Sequence, residues 1–208
     1  MAIDTRERLV NAASRLFRRQ GLAGTGIKQI LSEANAQFSS LYHYFPGGKD
    51  ELAADVIRAS GLHYQELVEA VWDAAPDVVA GLNDIFKGAA SVLEATDYAD
   101  ACPIATVALE VASTNEPLRA ATAEVFDAWT DRGTARFASA GIGAAEARRL
   151  TLAVIALLEG AFILCRATRS TEPMVSAGEA AVAVVRRAFG SLEADPNAAA
   201  RTLSTERC

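Results

Sequence analysis

Gln37-Phe38-Ser39-Ser40-Leu41-Tyr42-His43-Tyr44, followed by Phe45-Pro46-Gly47-Gly48-Lys49, is the stretch whose reading decides the fold. Eight residues ending at a Pro-Gly-Gly break make a short helix, because proline bars continuation and glycine takes the turn. Gln37, Ser39, Ser40, Tyr42 and His43 give it a small face of donors and acceptors. Leu41 and Phe45 supply the apolar grip on a neighbour. Just upstream, Ala34-Asn35-Ala36 reads as a tight turn, and Gly26–Glu33 as another short helix with Thr25 as its expected N-cap. A longer helix from about Asp4 to Gln20 precedes both, with Leu9, Ala12, Ala13, Leu16 and Phe17 as its stripe and Gly21 as its stop. Two short helices across a three-residue turn follow the helix-turn-helix plan, whose second helix enters a major groove.

Outward from this block the chain reads as helix throughout. Lys49-Asp50-Glu51-Leu52 opens a long fourth helix to about Ala74, and Pro76 opens a fifth that ends near Thr96. Cys102-Pro103 starts a short sixth, with proline where its missing N–H costs little. Asn115-Glu116-Pro117 caps a seventh to about Ala140, Ala144–Thr168 forms an eighth, and Glu172-Pro173 starts a ninth that ends near Phe189. The fold class is therefore all-α with nine helices. Residues 1–46 form the three-helix helix-turn-helix domain, residues 47–190 a helical ligand-binding and dimerisation domain, and residues 191–208, polar without a stripe, a disordered tail.

Charge sharpens this division. The chain carries a net charge of -6, which by itself argues against nucleic acid. Residues 1–50 nevertheless hold Arg6, Arg8, Arg15, Arg18, Arg19, Lys28 and Lys49 against Asp4, Glu7, Glu33 and Asp50, a small positive head on an acidic body. Arg15, Arg18 and Arg19 are most simply a solvated face of the first helix. Cys102, Cys165 and Cys208 are far apart and imply reduced thiols, no metal and no cofactor. No signal core begins the chain. The apolar run Leu150–Cys165 is interrupted by Glu159 and Gly160 and reads as a buried helix, so a cytoplasmic protein with no membrane partner is expected. There is no GxSxG, HExxH, P-loop or dinucleotide fingerprint, and His43 and His63 have no evident catalytic partner, which sets enzymes aside.

The segment Gly21-Leu22-Ala23-Gly24-Thr25-Gly26-Ile27-Lys28-Gln29-Ile30, with Ser40-Leu41-Tyr42-His43-Tyr44-Phe45-Pro46-Gly47-Gly48-Lys49-Asp50-Glu51-Leu52, resembles the N-terminal signature of TetR-family regulators over roughly residues 5–55. The resemblance implies a homodimeric repressor that binds a palindromic duplex-DNA operator. It places the DNA contacts on Thr25, Lys28, Gln37, Ser39, Ser40, Tyr42, His43 and Lys49. On an isolated short helix His43 would be a solvated or core-edge histidine; within this motif the resemblance implies a DNA-contacting role. Tyr44 and Phe45 read as packing residues. Three positions depart from the family pattern. Asn35 stands where glycine is usual, and asparagine tolerates the left-handed conformation. Ser39 replaces a frequent glycine. Phe38 replaces a small or basic residue, and the sequence leaves open whether its ring meets a thymine methyl or tucks inward.

The eighth helix is apolar around most of its circumference and needs cover on more than one side. Pairing it and the ninth helix, through Ala177, Ala180, Ala181, Val184 and Val185, with two-fold mates would supply that cover. Cys102–Glu110 resembles the sixth helix of the LmrA/YxaF-like branch, which links a pocket to the head. A small apolar effector is expected there, with Phe86, Ile104, Val107, Phe126, Trp129 and Phe162 as apolar walls and Cys102, Glu110 and Glu159 as polar members. Taken singly, each reads first as plain core and second as ligand wall, since aromatic residues at helical spacing fill cores by default. The alternative is a DNA-binding regulator controlled by a partner protein or by cysteine redox chemistry.

Overall fold

The computed structural model describes residues 4–194, with side chains to residue 190. Nine helices and no strand occur among the described residues: α1 Thr5–Gln20, α2 Ile27–Glu33, α3 Phe38–Tyr44, α4 Lys49–Ala74, α5 Val78–Ala95, α6 Pro103–Val111, α7 Glu116–Ser139, α8 Ala144–Thr168 and α9 Glu172–Ala194. The expected α4 and α8 bounds are met. The fifth helix starts at Val78 rather than Pro76, because Asp77 caps it, its carboxylate accepting from Ala80 N–H at 2.8 Å. The ninth helix continues past Phe189 to Ala194, while residues 195–208, including Cys208 and most of the expected tail, lie outside the described residues.

Local chemistry explains the other helix ends. Cys102 caps α6 with its Sγ accepting from Ala105 N–H at 3.5 Å, and Pro103 occupies the first turn. Asn115 caps α7 through Leu118 N–H at 3.2 Å. Asn35 adopts φ 47°, so the asparagine in the turn does take the left-handed conformation. Thr25 does not cap α2. The N-cap is Gly26, and the Thr25 hydroxyl donates back to the Gly21 carbonyl at 2.6 Å.

Two compact units result. Residues 4–66 and 96–127 form one; residues 67–95 and 128–194 form the other. The α4 and α7 helices are continuous, and each contributes residues to both units. In the first unit Leu9, Ala12, Ala13, Leu16 and Phe17 bury the expected stripe of α1, joined by Ile30, Leu41, Phe45, Leu52, Val56 and Ile57. The α6 helix packs on α1 within this unit, with Ile104 and Val107 buried.

In the second unit α9 packs on α5 and α8. Met174, Gly178, Ala181 and Val185 lie at helical spacing on its inner side. A Cβ at Gly178 would stand 2.9 Å from Phe86 Cβ, so glycine sets the depth of that crossing. Ala181 and Val185 therefore serve the chain's own core, which corrects the expectation that they face a second copy. Within the single chain α8 keeps an uncovered apolar side, the one expected to need two-fold mates. Leu152, Ile163 and Leu164 on α8, with Val175 and Val184 on α9, are about half exposed.

Candidate nucleic-acid interface

The first unit builds its outward surface from α3. Leu41 is fully buried and fixes which way the helix turns, and Phe45 anchors its end with the Arg6 guanidinium 5.5 Å from the ring centroid. At about 100° per residue Ser39 and His43 then lie opposite Leu41. Gln37, Phe38, Ser39, Tyr42 and His43 are exposed, and Ser40 and Tyr44 half-buried. Ser39, Ser40, His43 and Tyr44, with Thr5 of α1, line an open hollow of about 430 Å³. His43 and Tyr44 meet edge to face at 4.8 Å. Tyr42 lies over Gly48, where a Cβ would stand 3.4 Å from Tyr42 Cε1.

The remaining residues named for DNA are placed differently from one another. Lys28 is exposed on α2. The Lys49 ammonium donates to the Leu22 carbonyl at 2.6 Å, which ties the start of α4 to the α1–α2 loop. Thr25 is buried, its hydroxyl engaged with Gly21 and accepting from the Gln20 amide at 3.3 Å. It shapes the loop rather than facing solvent. Of the α1 arginines, Arg15 and Arg19 are exposed, as a solvated face requires, and Arg18 is half-buried; all three are engaged in ion pairs. Arg15 pairs with Glu33 at 2.6 Å, and Arg18 and Arg19 pair with Asp100 at 3.5 and 3.1 Å.

Asp100 belongs to a wider connection that sequence reasoning missed. Glu110, at the outer end of α6, accepts from the backbone N–H groups of Leu22 and Ala23 at 3.2 and 2.6 Å. The loop is shaped for this contact. Gly21 has φ +75°, and a Cβ there would stand 1.9 Å from the Glu110 Oε1 atom. The Ala101 N–H also donates to the Arg18 carbonyl at 3.3 Å. Tyr64 on α4 is hydrogen-bonded to Arg18; burial holds its phenol proton above the usual range, and the arginine only partly offsets this. The α6 helix is thus fastened to the head at both ends, by Ala101 and Asp100 at one and Glu110 at the other.

The residues expected around an effector divide between the units. Cys102, Ile104, Val107, Glu110 and Phe126 belong to the first, and Phe86, Trp129, Glu159 and Phe162 to the second. Cys102, Ile104, Val107 and Phe86 are buried, while Phe126, Trp129, Glu159 and Phe162 are half-buried. Cys102 and Cys165 are buried thiols not joined in a disulfide. Burial pushes the Cys165 thiol up, against a weaker opposing backbone hydrogen bond from Met174. No cluster of three metal-ligating side chains occurs among the described residues.

Residues 9–56, which span the helix-turn-helix, match the family described as bacterial regulatory proteins, tetR family. Residues 78–180 match the C-terminal domain of LmrA/YxaF-like transcriptional regulators. The chain belongs to the TetR family. It is 32% identical to the HTH-type transcriptional regulator YxaF of Bacillus subtilis, across 88% of this chain and 96% of that one. It is 29% identical to the HTH-type transcriptional regulator LmrA of the same organism, across 83% and 92%. The fold matches the regulatory protein TetR from Rhodobacter sphaeroides with a TM-score of 0.77 at 20% identity, covering 86% of this chain and 98% of that one. It also matches the reduced form of E. coli NemR, at 0.73 and 19%, covering 89% and 96%. This TetR-family member is a DNA-binding transcriptional regulator of the LmrA/YxaF-like branch, not an enzyme. By length and composition alone α8 could cross a membrane; in a regulator of this family its apolar surface calls for protein cover instead.

Proposed function

We propose that the protein is a homodimeric repressor released from a palindromic operator by a small apolar molecule. The observation that carries this reading is the outward face of α3, a short exposed row of hydroxyl, phenol, amide and imidazole groups held by a buried Leu41. Such groups read base edges in a major groove. Gln37, Ser39, Ser40 and His43 are the base-facing candidates. Lys28, Tyr42 and the remaining N–H groups of Lys49 are the phosphate-facing ones.

The effector binds the helical body, and Glu110 is the positioning residue through which α6 acts on the head. Its carboxylate grips Leu22 and Ala23, and Lys49 holds the Leu22 carbonyl. Displacement of α6 would therefore shift the loop that leads into α2 and the start of α4. Turning a 1:99 balance of released and bound forms into 99:1 requires about 5.5 kcal/mol of differential effector binding. A second reading rests on Cys102, whose thiol caps α6. Oxidation there would remove the cap and loosen the same helix without an effector.

The test is a titration of a duplex selected from random sequence by the wild-type protein, with apolar compounds that raise its melting temperature and, separately, with peroxide. Release by a stabilising compound supports the effector reading. Release by peroxide that Cys102→Ser abolishes supports the thiol reading. Stabilising compounds that leave DNA affinity unchanged contradict the first.

A further inference from the structure

The sequence leaves the direction of Phe38 open, and the structure decides it. Phe38 is the first residue of α3 and is 58% exposed. It has no part in anchoring the helix, since Leu41 and Phe45 do that from inside the core. Its ring leans on that of Tyr42, one turn along, with centroids 5.1 Å apart and planes at 47°. Tyr42 is in turn seated over Gly48, whose φ of +70° and missing Cβ leave space for the phenol. The result is a braced apolar edge beside the polar row of Ser39 and His43, at the helix end whose residues meet base edges in helix-turn-helix proteins.

Base edges in the major groove present one apolar group, the C5-methyl of thymine. We infer that Phe38 is a sequence-reading residue: its ring packs on a thymine methyl in each operator half-site, with Tyr42 as the brace that holds it there. This rests on the reading of α3 as the recognition helix and adds a base preference that its polar residues do not supply. In the bound state the methyl group and the tyrosine would cover the ring on two sides and take apolar surface out of water.

The experiment uses the full chain and the duplex selected by the wild-type protein, with thymines replaced by uracil one symmetric pair at a time. Uracil removes the methyl group and leaves every hydrogen-bonding atom in place. At one thymine position per half-site the wild type should lose about fourfold per methyl, hence more than tenfold for the pair. Phe38→Ala should bind more weakly, be indifferent to uracil at that position, and keep the wild-type melting temperature because the ring is exposed. Phe38→Leu should retain part of the discrimination. Uracil tolerated at every position, or Phe38→Ala discriminating as the wild type does, overturns the inference while leaving α3 in the groove. Failure of the wild-type protein to select any duplex overturns both.

Discussion

The outward face of α3 and the outward faces of α8 and α9 are both surfaces that the single chain leaves uncovered, and their chemistry separates them. On α3 the exposed side chains are amide, hydroxyl, phenol and imidazole beside one aromatic pair. On α8 and α9 they are Leu152, Ile163, Leu164, Val175 and Val184. The first surface offers directional partners for a polar groove. The second offers only apolar area, and a second copy of the same helices is the partner that would bury it. On the proposed reading one chain carries a face for DNA on α3 and a face for a second copy on α8 and α9, and reading a palindromic operator uses both.

Breaking the apolar face should have the largest effect. Leu164→Glu with Val184→Glu would bury unpaired carboxylates across the two-fold, at a cost of several kcal/mol per ion. Sedimentation should show a monomer, and operator affinity should fall more than a hundredfold. A variant that stays dimeric would place the pairing surface elsewhere.

The connection to the head ranks next. Gly21→Ala demands an alanine at φ 75°, ψ 177°, a region essentially reserved for glycine, and drives Glu110 off the loop, which costs about 1–3 kcal/mol from the backbone alone. The melting temperature should drop by about 2–8 °C. Amide exchange at Leu22 and Ala23 should accelerate in Glu110→Ala as well, and unchanged protection there would mean that the carboxylate does not hold the loop.

The smallest effect belongs to the rim of the polar face. Lys28→Ala should lower affinity modestly for every duplex and reduce the logarithmic salt slope by about one for each chain bound. An unchanged slope removes Lys28 from the phosphate contacts.

What the sequence made legible follows from the range of the forces involved. The helices were readable because caps, proline and three-four spacing act within one or two turns; α4 and α8 match their expected bounds, and Asn35 takes its left-handed turn. The polar face of α3 was readable because burying Leu41 fixes the rotation of a seven-residue helix. Glu110 was not, because its partners Leu22 and Ala23 lie 88 and 87 residues away and a backbone N–H carries no sequence label. The same distance in sequence hid the hold of Asp100 on Arg18 and Arg19. Thr25 misled because a threonine before a helix usually caps it, and here tertiary closure of the α1–α2 loop takes the hydroxyl first. Phe38 could not be oriented because the first residue of a helix has no preceding turn to pack against.

The spacing of the half-sites tests most directly whether paired bodies present α3 twice. Two recognition helices on one dimer fit half-sites about one helical turn apart. Inserting five base pairs between the halves of the selected duplex should abolish tight binding, and reinserting a full turn should not restore a fixed dimer's grip. The intact duplex should titrate with whole dimers. Affinity indifferent to the insertion, or a monomer saturating one half-site as tightly as the palindrome, would contradict the claim that paired bodies present α3 twice.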